Sequence, residues 1–124
     1  MIVAVLFAGS CVFWSVFEQA GNTLTLFADK ETRNEVFGIA FPSSWWQSVN
    51  ALFIVLLAPA FAALWTKLGD FDRSSMLRFS IGILFVGVSF AILVGGARAA
   101  EGDALASPTW LLTVYFLHTI GELC

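Results

Sequence analysis

CVFWSVFEQAGNTLTLF, Cys11–Phe27, is the stretch that decides the fold. Glu18 and Gln19 sit inside a run that is otherwise almost wholly apolar or small. From Met1 to Phe27 the only other ionisable side chain is the thiol of Cys11. At ~1.5 Å per residue such a run is long enough to cross a hydrocarbon layer of ~30 Å. A carboxylate at membrane depth costs at least ~2.5–3.5 kcal/mol on insertion scales, so it is rare without a task. A glutamate near a helix end, reaching water, is the plain alternative. Its rarity favours an ion, proton or ligand site.

Composition points to the same solvent. Of 124 residues, 59% are hydrophobic and 12% charged, about half the charge of soluble domains, with 13 Phe and 5 Trp. Mean hydropathy is +0.86. A net charge of −3 without a basic patch excludes nucleic acid as a partner. Cys11 and Cys124 define no disulfide framework, and one His with no Cys-x-x-Cys leaves no metal or cofactor to expect. Met1 is followed by Ile-Val-Ala-Val, not by the basic start of a secretory signal, so the first segment reads as a span. The fold class is an all-α, multi-pass membrane protein in contact with the lipid bilayer.

Four apolar segments are expected, at about 1–27, 45–66, 76–96 and 109–124. Ala28–Ser44 reads as a water-facing loop with Gly38 and Pro42. The second segment opens with Ser43 or Ser44 as N-cap, carries Trp45, Trp46 and Trp65 as two aromatic belts, and is kinked by Pro59. Gln47 and Asn50, three apart, share a helix face. In the third segment Gly87, Ala91 and Gly95 form a small-residue ridge for close packing, which marks a structural helix. The fourth, TWLLTVYFLHTIGELC, holds His118 and Glu122 and stops at Cys124, short of the ~20 residues of a span; it reads as a chain cut inside a helix, a fragment.

Lys67, Arg73 and Arg78 outnumber Asp70 and Asp72 in the middle loop, whereas the first and third loops are net acidic. The positive-inside rule then puts the middle loop in the cytoplasm. The loops account for one of the three net negative charges, and Glu18 and Glu122 are the other two. With Arg78, at the edge of the third span, counted in the middle loop, neither has a Lys or Arg in any span. Buried charges are normally paired, so these carboxylates bind protons, pair with a cation elsewhere, or receive a cationic ligand. Low dielectric favours the neutral carboxylic acid, which suits reversible protonation.

Trp14 lies one turn before Glu18 and Gly21 about one turn after, an aromatic wall and a gap beside a carboxylate. His118 and Glu122, four apart, would form a proton relay, although a lone His is more often a satisfied core residue. Three readings follow: part of a proton-coupled transporter, an integral-membrane enzyme, or a non-transporting four-helix assembly subunit. The enzyme is disfavoured because Ser10, Ser15 and Ser89 have no base at a useful spacing.

FWSVFEQAGNTLTLFAD (Phe13–Asp29), PSSWWQSVNALFIVLLAPAFAALW (Pro42–Trp65) and TIGELC (Thr119–Cys124) together resemble the proton-dependent oligopeptide transporter family of the major facilitator superfamily. The resemblance covers essentially the whole chain. It implies the seventh to tenth transmembrane helices, part of the C-terminal six-helix bundle, in a cell (inner or plasma) membrane. It further implies symport of small peptides with protons, no cofactor beyond the coupling proton, and no enzymatic activity. Glu122 would hold the peptide amino terminus, Asn50 its backbone, Trp14 the pocket wall, and Glu18 the proton coupling. Gln19, Gln47 and His118 are further candidates. The alternative within the superfamily is a symporter of another solute.

Departures from the family pattern are also plain. The N-terminal helical bundle with its ExxERxxYY motif is missing, as is the Ser-Pro continuation after GELC. RSSMLRF, at the start of the third span, lacks the prolines often found there. The 124-residue chain by itself is therefore expected not to transport.

Overall fold

The computed structural model describes residues 1–36, 38–69, 75–100 and 105–124. Asp70, Asp72, Arg73, Glu101 and Asp103, on which the charge-based orientation partly rests, lie outside the described residues. Helices dominate. In chain order they are α1 (Ile2–Phe17), a 3₁₀ turn (Glu18–Gly21), α2 (Thr23–Lys30), α3 (Trp45–Leu68), α4 (Ser75–Ala99) and α5 (Pro108–Leu123); a hairpin of β1 (Glu35–Val36) and β2 (Ile39–Ala40) precedes α3. By length and composition α3 and α4 can each cross a membrane, at ~36 Å for 24 residues. α1 and α5, 16 residues each, are shorter than a span.

The first apolar run, expected as one helix, is two. Gly21 and Asn22 are weak helix formers, and here the Asn22 N–H bonds the Gln19 carbonyl at 3.1 Å, a tightened 3₁₀ turn. The helix resumes where the Leu26 N–H reaches the Asn22 carbonyl at 2.9 Å. α2 then runs on to Lys30 with Leu24, Phe27 and Ala28 buried.

α4 and α5 are antiparallel and pack backbone to backbone. A buried stripe at Gly82, Val86, Ser89, Leu93, Gly96 and Ala100, spaced alternately four and three, faces α5. A Cβ on Gly82 would lie 2.8 Å from the Gly121 carbonyl, and one on Gly121 would lie 2.8 Å from Val86 Cγ2. At the other end Gly95 and Gly96 receive the Trp110 ring. The small-residue ridge is thus not the expected one. Gly95 takes part, but Gly87 and Ala91 are exposed, and a Cβ at Gly87 would meet nothing among the described residues. α1 leans on the start of α4, where Gly9 accommodates Phe79.

α3 runs parallel to α5, as two helices separated by one antiparallel neighbour must. Trp46 stacks on Tyr115 with 3° between the rings, and Phe53 meets Phe116 edge-on. At the far end Trp65 Nε1 donates to the Leu123 carbonyl at 3.2 Å, with the Arg78 guanidinium 4.6 Å above the Trp65 ring. Pro59 lies inside α3, which continues across it.

The segment after α2 is not a free loop. Thr32 pairs with Ala106, the Ala106 N–H donates to the Glu31 carbonyl at 2.7 Å, and the Arg33 N–H donates to the Ala106 carbonyl at 3.1 Å. Asn34 ties this clip to two helices: its Nδ2 donates to the Ala28 carbonyl at 2.6 Å and its Oδ1 accepts from Trp46 Nε1 at 3.0 Å. Gly38, at φ 80°, makes the hairpin turn in a region that side chains disfavour. Two expectations change as a result. Trp46 is buried in the clip instead of standing in an aromatic belt, while Trp45 remains exposed. Ser44 occupies the N-cap position of α3 without a side-chain cap bond, its own backbone being already helical at φ −62° and ψ −21°, and the Ser43 hydroxyl donates to Asp29. α5, in contrast, has Ser107 as a side-chain N-cap and Pro108 in its first turn.

Candidate functional site

α5 carries polar groups on two faces, and each meets a different neighbour. On the face toward α3, Thr119 is fully buried and its Oγ1 lies 2.8 Å from Asn50 Oδ1 and 2.9 Å from the Tyr115 carbonyl. The Asn50 amide is thereby seated on the side of α5 that carries Thr119. Thr119 and Glu122, three residues apart, share this face, so α3 and α5 bring an amide, a hydroxyl and a carboxylate together. Glu122 is exposed, and among the described residues no Lys or Arg pairs with it. What the cluster can do chemically is receive a cationic group beside an amide that both donates and accepts.

On the face toward α4, His118 is 1% exposed and its Nδ1 lies 2.8 Å from Ser89 Oγ. Ser89 Oγ also donates to the Val86 carbonyl at 2.6 Å. The imidazole ring is flanked by Phe17 of α1 and Phe90 of α4, with centroids 5.5 and 5.4 Å away. Four-residue spacing therefore does not join His118 to Glu122. The ring turns to α4 and bonds Ser89, while the carboxylate is exposed.

Glu18 opens the 3₁₀ turn that splits the first run, is exposed, and has no Lys or Arg partner among the described residues. The adjacent Phe17 touches His118, so this turn lies beside α5. Breaking a helix at membrane depth is tolerated where the freed backbone is buried in protein or lines a water-filled cavity. Gln19 accepts from Thr23 Oγ1 at 3.0 Å, across the break. Trp14 is 52% exposed and meets Phe13 and Phe17 of its own helix edge-on. A Cβ on Gly21 would meet nothing within 4 Å among the described residues, in keeping with the gap expected there. Gln47 and Asn50 are not brought together: Gln47 Nε2 donates to Thr25 Oγ1 of α2 at 3.1 Å, whereas Asn50 goes to α5.

Thr119 and Ser89 were not legible as polar partners from spacing alone. The signal for Thr119 was its i, i+3 relation to Glu122 within TIGEL. Ser89 offered none, since its partner lies on another helix.

A family model described as the POT family matches residues 1–124. The chain is 44% identical over 119 residues to the uncharacterized transporter YclF of Bacillus subtilis, covering 96% of this chain and 24% of that protein. It is 40% identical over 128 residues to the peptide transporter YePEPT of Yersinia enterocolitica, covering all of this chain and 25% of that one. Among solved structures, a peptide transporter POT in complex with sulfate superposes with a TM-score of 0.90 at 41% identity, over 96% of this chain and 24% of that chain. The chain spans about a quarter of the length of the relatives it matches.

Proposed function

Because the chain belongs to the POT family of membrane transporters, we propose that it forms the seventh to tenth helices of a proton-coupled symporter for di- and tripeptides in the cell membrane. The observation that carries the reading is the Thr119–Asn50 hydrogen bond across α5 and α3, which seats an amide beside the turn that bears Glu122, a carboxylate without a basic partner among the described residues. In this reading Glu122 pairs with the peptide's ammonium group and Asn50 hydrogen-bonds its backbone. Trp14 supplies an apolar wall, and the rest of the site comes from the N-terminal bundle.

Glu18 serves the coupling proton. It stands at the 3₁₀ break, where the backbone is already bent, so a change in its charge can act on the geometry of the first span. Substrate sites of such transporters lie near the bilayer midplane between two bundles that rock against each other.

Uptake into liposomes by the full-length transporter tests both roles. Glu122→Gln should weaken transport of a dipeptide with a free amino terminus by about 10- to 100-fold, as expected for a lost charged hydrogen bond. The amino-acetylated analogue should be little affected; equal losses would refute the ammonium role. Glu18→Gln should abolish uptake driven by a proton gradient while sparing exchange of labelled for unlabelled peptide. Gradient-driven uptake at the parental rate would exclude Glu18 from coupling.

A further inference from the structure

Thr119 is fully buried, and its hydroxyl stands between two oxygens, Asn50 Oδ1 at 2.8 Å and the Tyr115 carbonyl at 2.9 Å. A hydroxyl has one proton and two lone pairs, so it can donate fully to only one of them at a time. When it donates to Asn50 Oδ1, the amide nitrogen is the end left free, near the turn of α5 that carries Glu122 three residues on. When it donates to the Tyr115 carbonyl, its lone pairs are free to accept from the Asn50 amide nitrogen, and Oδ1 is then the end left free. Either arrangement satisfies the buried hydroxyl. Each also matches one state of the neighbouring carboxylate. A bare anion attracts the N–H end, and an anion already covered by a ligand's ammonium group favours the oxygen end, which becomes a second acceptor for the same ammonium.

We propose that Thr119 is a positioning residue for the peptide site, a hydroxyl pivot that anchors the Asn50 amide in both orientations beside Glu122. The inference rests on the peptide-binding reading above. Valine has the shape of threonine but can do neither job, and serine can do both.

In the full-length transporter, Thr119→Val should raise KM for a free-amino dipeptide about 3- to 10-fold, the range of one neutral hydrogen bond, with kcat held. Thr119→Ser should restore most of the affinity. In an Asn50→Ala background, Thr119→Val should change KM by less than twofold, because the residue acts through Asn50. Equal loss in the valine and serine variants, or full additivity with Asn50→Ala, would overturn the pivot. A separate measurement keeps this independent of the substrate reading. In the full-length transporter in lipid nanodiscs, without peptide, hydrogen exchange of the Asn50 side-chain amide should be slow in the parent and in Thr119→Ser, and faster in Thr119→Val. Identical exchange in all three would overturn the anchor even if peptides are transported. Slow exchange in a transporter that carries no peptide would keep the anchor and refute the substrate.

Discussion

The two faces of α5 differ in how they hold a polar group. Toward α4 the helices approach through Gly82, Gly96 and Gly121, and the polar pair Ser89–His118 is sealed among Val86, Phe17 and Phe90. Toward α3 the contact is made by aromatic rings, and the polar groups Asn50, Thr119 and Glu122 end at an exposed carboxylate. A close glycine interface leaves no room for a ligand, whereas a looser interface with an unpaired charge does. In the proposed reading, one 16-residue helix is a structural strut on one side and a recognition surface on the other. Residues four apart, His118 and Glu122, differ in the same way: the first is buried against α4 and the second is exposed.

The largest expected effect breaks the strut. In Gly121→Ala the new Cβ would stand 2.8 Å from Val86 Cγ2 and 2.9 Å from the Gly82 carbonyl. Because backbone cannot give way as a flexible side chain can, the cost should be about 1–3 kcal/mol, read as a lowered Tm in detergent. Gly87→Ala, on the open face of α4, should be neutral or stabilising by up to ~1 kcal/mol. Equal destabilisation by both would mean that the ridge expected from spacing, and not the one seen, is the packed one. Ser89→Ala should have the smallest effect, about 0.6 kcal/mol of stability for an interhelical hydrogen bond in a membrane. Its KM for peptide should not move. A KM shift there would erase the distinction between the two faces.

Much of the fold was legible because a membrane demands long apolar runs, and α3 and α4 follow directly from theirs. The break at Glu18–Gly21 was marked by Gly21 and Asn22 yet masked by the apolar residues on both sides. Spacing pointed to the ridge Gly87, Ala91 and Gly95 on α4, whereas the buried stripe runs through Gly82, Ser89 and Gly96. Only the partner decides between them, through Gly121 and Trp110, and those residues lie in another segment. The inward turn of Trp46 depends on Asn34, in a stretch that reads as loop. Of the site, Glu18, Asn50 and Glu122 stood out because a charge or amide in an apolar run is costly. Thr119 did not, because a threonine in a helix satisfies itself on its own backbone at little cost.

The most direct test compares Glu122→Gln with His118→Asn in the full-length transporter, measuring KM for a dipeptide and for its amino-acetylated form alongside Tm. Glu122→Gln should collapse the preference for the free amino terminus and leave Tm nearly unchanged. His118→Asn should lower Tm and keep the preference. The reverse pattern, with preference lost at His118 and kept at Glu122, would contradict the assignment of recognition to the α3 face of α5.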